Sequence, residues 1–162
     1  AYTAAVGALY ALSYGLKFHA KAALSRDHVV GPLEGLWWAD DMADFTTGRR
    51  EGWRWTMMIR QPDWITPAML TQVRTAKSDG SPAFAAVRLE TLTEGLCLQT
   101  LHIGPYKDEA PTIAHLHQVE LPARGLRETG QHHEIYLSDP RKVAPEKLKT
   151  ILRQPVGPKP TP

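Results

Sequence analysis

The sequence predicts an α+β fold in which antiparallel strands form a sheet with helices on one of its faces. Three observations predict it: apolar residues recur at helical spacing in three segments, runs that favour strands come in pairs, and each helical segment precedes one such pair. The chain has 162 residues, 43% of them hydrophobic, and a net charge of +2. This composition is typical of a soluble globular protein that is long enough to bury a core.

The N-terminal stretch 1–16 predicts an amphipathic helix, because its apolar residues recur at helical spacing. The stretch is too short to span a membrane, and no basic segment precedes it as in a signal peptide. We therefore expect neither a membrane span nor a secretory leader.

Two strands and a second helix are predicted next. Residues 34–40 and 53–60 are rich in the aromatic and apolar residues that favour a pleated surface. Thr66 is the expected N-cap of a helix that begins at Pro67 and runs to about Ser78.

The second half of the chain predicts a hairpin and a third helix. The runs 86–92 and 97–104 are separated by a short connection that contains Gly95, so we expect them to pair as neighbouring strands. After Gly104, apolar residues at helical spacing predict a helix at about 108–120.

The C-terminal part predicts a last pair of strands and a tail. The strands are expected at 125–129 and 132–137, joined around Gly130. A short helix is expected to start at Pro145, and the proline-rich residues 157–162 are expected to form a flexible tail.

The last predicted strand carries the best candidate for chemistry. Strand alternation puts His132, Glu134 and Tyr136 on one face. If this face were open to water, Glu134 would be an ordinary solvated residue, which is the more frequent case, but the tryptophans of the other strands favour a functional role for it. The opposite face is the expected core face, and its residues are His133, Ile135 and Leu137.

The five tryptophans all lie between Trp37 and Trp64, and this clustering needs an explanation. Trp37 and Trp38 are adjacent in one predicted strand and point to opposite faces, whereas Trp53 and Trp55 share one face of the next strand. Taken alone, the residues favour a tryptophan-rich core. The alternative is an aromatic-walled cavity, which would suit flat, apolar or cationic ligands.

Several kinds of chemistry lack support. The neighbouring histidines of the predicted helix and of the last strand diverge, so we expect no metal, and we find no phosphate-binding loop or nucleophile elbow, so we expect no cofactor. The small net charge argues against direct nucleic-acid binding. The single cysteine, Cys97, lies between leucines, which predicts a buried thiol in a cytoplasmic protein.

Five segments carry a resemblance to a known family. Together they resemble the GyrI-like small-molecule-binding family and, more narrowly, its stand-alone subfamily that includes cyclopropanoid cyclopropyl hydrolases. The resemblance spans nearly the whole chain. The segments are LYALSYGLKF at 9–18, PLEGLWW at 32–38, WRWTMMIRQP at 53–62, LHIGPYKDEA at 101–110 and HHEIYLSDPRKVAPEKLKTILRQPV at 132–156.

The resemblance implies a domain organisation. Residues 1–156 would form one GyrI-like domain of two strand-helix-strand-strand modules, at about 1–80 and 81–156. A pseudo-twofold axis would relate the modules, with a ligand groove on the face of the sheet away from the helices. Members of this family begin with a strand before the tyrosine-rich helix, so the first strand is expected to be missing here and to leave an unpaired edge.

The resemblance also implies a function. The Glu-x-Tyr pattern of the family maps to Glu134 and Tyr136, our catalytic candidates, beside a cage that binds a planar aromatic or cationic small molecule. The expected activity is detoxification of cyclopropanoid DNA-alkylating compounds, by addition of water to the cyclopropane. A non-catalytic drug-binding protein and a module that binds a protein partner are the alternatives, and membrane binding is not expected. The candidates for the cage are Trp37, Trp38, Trp53, Trp55 and Tyr106.

Overall fold

The structure is a computed structural model that describes residues 1–40, 52–77 and 80–160. The chain divides into two compact units. The first comprises Ala1–Pro32 and Met57–Leu92, and the second comprises Leu33–Thr56 and Thr93–Pro162. The two pseudo-symmetric modules with a boundary near residue 80 stay a prediction.

The first unit contains the two helices predicted in the first half of the chain. Helix α1 spans Tyr2–Leu24, which confirms the N-terminal helix and extends it beyond the predicted stretch. Helix α2 spans Pro67–Lys77, with the backbone N–H of Met69 donating to Oγ1 of Thr66 at 3.3 Å, as expected of an N-cap. Ser78 lies outside the described residues. The buried side chains that join the two helices include Leu12, Leu16, Leu70 and Val73.

Gly15 sets how closely α1 and α2 pack. A Cβ at this position would lie 2.4 Å from Cγ1 of the buried Val73 and 2.7 Å from Cε of Lys77. The same atom built on Gly7, in the same helix, would have no neighbour within 4 Å. The two glycines therefore form a matched pair for substitution.

We expect Gly15→Ala to be less stable than Gly7→Ala. Alanine at position 7 gains helix propensity, about 0.5–1 kcal/mol, at no steric cost. At position 15 the same gain is offset by about 1–3 kcal/mol, because Val73 must move in a packed core. Urea unfolding of both variants measures the difference, and equal free energies of unfolding would show that α1 and α2 separate without cost.

The predicted hairpin of 86–92 with 97–104 is wrong in its first strand. Pro82–Ala86 form a short helix, α3, and residues 87–92 follow it without strand structure. Val87 has extended backbone angles, but its carbonyl accepts a hydrogen bond from the Arg74 side chain of α2. Residues 87–92 therefore do not form the predicted strand beside 97–104, which pairs with β6 instead over Cys97–Ile103.

The strands form an antiparallel sheet in the order β2-β1-β5-β6-β3, with β4 pairing to β6 outside this path. This confirms the predicted α+β class. Strand β2 begins in the second unit with Arg54–Thr56 and continues into the first. The strands are β1 (Leu33–Trp38), β2 (Arg54–Ile59), β3 (Cys97–Ile103), β4 (Leu126–Glu128), β5 (His132–Tyr136) and β6 (Lys149–Pro158).

The C-terminal part differs most from the prediction. Pro145–Lys147 form only a turn of 3₁₀ helix, and the following residues form β6, which lies between β5 and β3. Strands β4 and β5 do not pair with each other around Gly130, because each pairs with β6. Gly157 and Pro158 of the predicted flexible tail also belong to β6, where they face Arg127 and Leu126.

The third predicted helix is confirmed as a helical segment over 110–123. It consists of α4 (Ala110–His115), a π-helical turn (Leu116–Glu120) and α5 (Leu121–Ala123). Leu116 and Leu121 pack on Val156 of β6. Within the second unit the helical segment thus covers part of the sheet. None of the helices in the described part of the chain is long and apolar enough to cross a membrane.

Candidate functional site

The side chain of Glu134 is buried at the middle of β5. Only 5% of the residue is exposed, although it is a carboxylate in a strand with pairing partners on both sides. Its partner on β6 is the buried Leu152, and its partner on β1 is Gly35, which has no side chain to fill the space beside it. Glu134 is therefore not the solvated strand residue that an open face would have produced.

Both carboxylate oxygens of Glu134 are hydrogen bonded. The hydroxyl of Tyr136 donates to Oε2 at 2.7 Å, and Nε2 of His132 lies 3.1 Å from Oε1. The indole N–H of Trp37 in turn donates to the Tyr136 oxygen at 2.9 Å. This arrangement suits an ionised carboxylate, which accepts hydrogen bonds and donates none.

Aromatic rings surround this network. Trp37 and Trp53 meet edge to face with ring centroids 5.7 Å apart, and Tyr106 and Tyr136 do so at 5.8 Å. We call these four rings the aromatic cluster. Trp37 belongs to β1, Trp53 precedes β2, Tyr106 lies in the turn that follows β3, and Tyr136 belongs to β5. Such contacts hold planar side chains in fixed orientations, as a flat ligand would require.

The other three tryptophans are partly buried in β1, in β2 and in the first unit. Trp38 is half-buried at the end of β1 and follows Trp37, so its side chain is directed to the opposite face of the sheet. Trp55 is half-buried in β2. Trp64 belongs to the first unit, where the guanidinium of Arg26 lies 5.2 Å from its ring centroid and His28 packs against it edge-on. The core explanation thus fits Trp64, whereas Trp37 reaches the Glu134 network through Tyr136 and Trp53 packs against Trp37.

The sequence analysis considered His132 only as a possible metal ligand and did not predict its contact with Glu134. His132 is completely buried, and its contact with Glu134 is a local one, two residues along the same face of a strand. The alternation of His132, Glu134 and Tyr136 was the available signal. Among the described residues, we find no group of three or more histidine, cysteine, aspartate or glutamate residues that could hold a metal ion.

A second buried network occupies the opposite face of β5. Nδ1 of His133 lies 2.7 Å from Oε1 of Glu94, and its Nε2 lies 2.8 Å from Oε2 of Glu34. Nη1 of Arg153 binds the other oxygen of Glu94 at 3.2 Å. Because both ring nitrogens face carboxylates, both must donate, so His133 is an imidazolium. The predicted core face is thus charged at His133, apolar at Ile135 and largely exposed at Leu137.

The pKa of His133 reflects two opposed effects. Burial alone would lower its pKa, but the hydrogen bonds to Glu34 and Glu94 outweigh burial and raise it. The predicted burial of Cys97 is only partly correct. This thiol is half-buried, and desolvation raises its pKa, which suits an unreactive structural thiol.

Comparison with known proteins decides the family. The model of the GyrI-like small molecule binding domain matches residues 3–156. The chain belongs to the GyrI-like family. The match confirms the resemblance carried by the five sequence segments, and the narrower cyclopropanoid hydrolase subfamily stays a prediction.

Solved structures from Listeria innocua are similar to this GyrI-like chain. An uncharacterized conserved protein is 42% identical with a TM-score of 0.84, over 96% of this chain and 80% of that one. A hydrolase is 41% identical with a TM-score of 0.78, over 96% and 79% of the two chains. Another hydrolase structure from this organism is 40% identical, also with a TM-score of 0.78, over 96% and 80%. Among proteins of curated function, none matches significantly.

Proposed function

We propose that this GyrI-like protein binds planar aromatic or cationic small molecules beside Glu134 and hydrolyses those that carry a strained cyclopropane. The observation that carries the proposal is the buried Glu134 carboxylate, held at both oxygens and bordered by the aromatic cluster. Its family is a small-molecule-binding one, and two structures at about 40% identity are of hydrolases. We propose a detoxifying role in the cytoplasm, in line with the single unpaired cysteine.

The aromatic cluster and Glu134 supply complementary binding energies. A cation over an aromatic face gains about 0.5–2 kcal/mol, and the gain is larger where water is excluded. Glu134 adds an ionic interaction that is strong only in such a dry site. A flat neutral ligand would gain from burial against the rings alone, so the site accepts both classes.

The reaction that we propose balances without a cofactor. Water forms a C–O bond to the methylene carbon of a cyclopropane that shares a spiro carbon with a dienone ring, and the bond from the methylene carbon to the spiro carbon breaks. The electron pair of the broken bond aromatises the ring and collects on the dienone oxygen, which takes a proton and becomes a phenol. The water loses one proton, so the protein needs an acceptor near the water and a donor near the oxygen.

Residues of the site fit these two roles. Glu134 would orient the water and accept its proton, because its carboxylate is the buried base of the site. The donor to the dienone oxygen would be Tyr106 or Tyr136, whose rings are in contact. In the structure Tyr136 donates to Glu134, so it also orients the carboxylate.

Incubation with a spirocyclopropyl dienone tests the enzyme claim. We expect mass spectrometry to detect a product heavier by one water, formed faster than in buffer, and we expect quenching of tryptophan fluorescence on titration. Binding without a hydrated product would leave the non-catalytic drug-binding alternative, which the family itself favours. Absence of any fluorescence response, together with capture of a protein partner, would favour the interaction module.

The paired variants Trp37→Phe and Trp38→Phe locate the site. Both keep an aromatic ring, but Trp37→Phe removes the N–H that binds Tyr136. We expect Trp37→Phe to weaken binding of ethidium, a planar aromatic cation, about tenfold, because a hydrogen bond at the centre of the site is lost. Trp38→Phe should bind ethidium as the wild type does, and equal losses in both variants would contradict this location.

A further inference from the structure

His132 connects Glu134 to a second histidine and a second glutamate. Its ring centroid lies 6.1 Å from that of His117, which comes from the helical segment over the sheet. Nδ1 of His117 contacts Oε1 of Glu128 on β4. His132 is completely buried, the His117 side chain is 9% exposed and the Glu128 side chain is 34% exposed. The four side chains therefore lead from the buried site to the surface.

The contacts of Glu134 fix the proton on the His132 ring. An ionised Glu134 accepts the hydroxyl hydrogen of Tyr136 at Oε2, so Nε2 of His132 must donate to Oε1. His132 is then either the neutral Nε2–H tautomer or an imidazolium. In both forms it prevents rotation of the carboxylate, since each Glu134 oxygen has its own donor.

Glu128, at the outer end of this row of four side chains, interacts electrostatically with both histidines. The hydrogen bond from His117 lowers the pKa of Glu128, and the charges of His117 and His132 lower it further. Glu128 is therefore an anion at the outer end of this row of side chains. On the same face of the sheet lie Trp37 of β1 and Thr150 and Leu152 of β6, which carry no charge, and, one strand further, the titratable His102 of β3, which is in register with Thr150.

We propose that His132 is a positioning residue for Glu134: its Nε2–H holds Oε1 while the Tyr136 hydroxyl holds Oε2, and the ring of His117 packs beside it from the helical segment. This proposal rests on the function proposed above. A carboxylate that is already held in one orientation does not have to be ordered when a cation binds, so loss of the His132 donor should weaken cation binding.

The tautomer of His132 tests the positioning role without any ligand. We expect ¹⁵N NMR of the histidine rings to show Nε2 of His132 protonated at pH 8 in the wild type. An Nδ1–H tautomer at that pH would overturn the proposal, because such a ring cannot donate to Glu134. This measurement is independent of activity, so it separates failure of the proposal from failure of the proposed function.

The variants His132→Gln and His132→Leu test the consequence for binding. The amide of glutamine reaches the position of Nε2 and keeps a donor to Glu134, whereas leucine has none. At pH 8 we expect His132→Leu to bind ethidium about ten- to a hundredfold more weakly, the loss typical of a hydrogen bond to a charged group. His132→Gln should stay near the wild-type affinity, and so should the control His115→Gln, whose ring is exposed.

Comparison of the two His132 variants distinguishes positioning from simple packing. Leucine occupies the space of the ring without a donor, whereas glutamine keeps the donor, so the expected result is a loss in His132→Leu and recovery in His132→Gln. Equal losses in both variants would overturn the positioning role, and a wild type that binds no ethidium despite the expected tautomer would overturn the proposed function alone.

Discussion

Replacement of Glu134 by glutamine is expected to lower the turnover of a spirocyclopropyl dienone by about 10²- to 10⁴-fold, the contribution typical of a positioned general base. The amide is nearly the same size as the carboxylate but cannot accept a proton from water. It also brings an N–H₂ group against either Tyr136 or His132, both of which donate to the carboxylate. Ethidium should bind at least tenfold more weakly, because the anion of the site is gone.

The control for this variant is Glu90→Gln. Glu90 is exposed and contacts only Arg88 among the ion pairs of the described residues. We expect it to match the wild type in turnover and in ethidium binding. Steady-state kinetics and fluorescence titration of both variants at pH 8 measure the effects, and circular dichroism confirms that each is folded. A Glu134→Gln protein with wild-type turnover would remove Glu134 from the mechanism even if the enzyme claim held.

The position of Glu134 on a face with His132 and Tyr136 could be predicted from the sequence, because it follows from local alternation within one strand. The start of α2 could be predicted for the same reason. Thr66 caps the helix and Pro67 is its first residue, and both roles depend on the local sequence and not on the residues packed around it. Whether the Glu134 face is buried depends on which residues cover it. His117 is one of these, and it comes from another segment of the chain.

The pairing of the strands could not be predicted, because it depends on which strands bury their side chains together, and these strands are far apart in the sequence. Neighbouring strands usually form hairpins, which is why 125–129 and 132–137 were expected to pair. In the structure β6 pairs with both, and its Thr150, Leu152 and Gln154 are all completely buried. The prolines of β6 suggested a loop, but proline lacks only a donor, and the Pro155 carbonyl accepts from Thr129 at 3.0 Å.

The network of His133 was also beyond prediction, because its partners lie far away in the sequence. Glu94 is 39 residues distant and Glu34 is 99 residues distant. Sequence alone places an ionisable residue on a core face at His133 and gives no sign of what neutralises it. Burial of the imidazolium is possible only because both carboxylates converge on one ring.

Replacement of His133 by leucine is therefore expected to lower the free energy of unfolding by about 3–5 kcal/mol, the cost of removing one partner from a buried ionic network. Glu34 and Glu94, each with a side chain only 15% exposed, would lose the cation between them. The matched control is the triple variant His133→Leu, Glu34→Gln, Glu94→Gln, which removes the repulsion along with the cation. It should recover most of the loss, and a triple variant as unstable as the single one would show that packing, not charge, is at stake.

The pH dependence of stability gives an independent test of the same network. The pKa of His133 is raised above its usual 6.5 by the two carboxylates, so the folded state holds this proton more tightly than the unfolded chain does. Its contribution to stability is complete below about pH 6.5 and is lost as pH rises through the raised pKa. Urea unfolding at a series of pH values should therefore show the wild type losing stability on the alkaline side of neutrality, while the triple variant does not. A parallel loss in both proteins would assign the effect to another group. It would contradict a charged His133, although two carboxylate oxygens lie within 2.8 Å of its ring nitrogens.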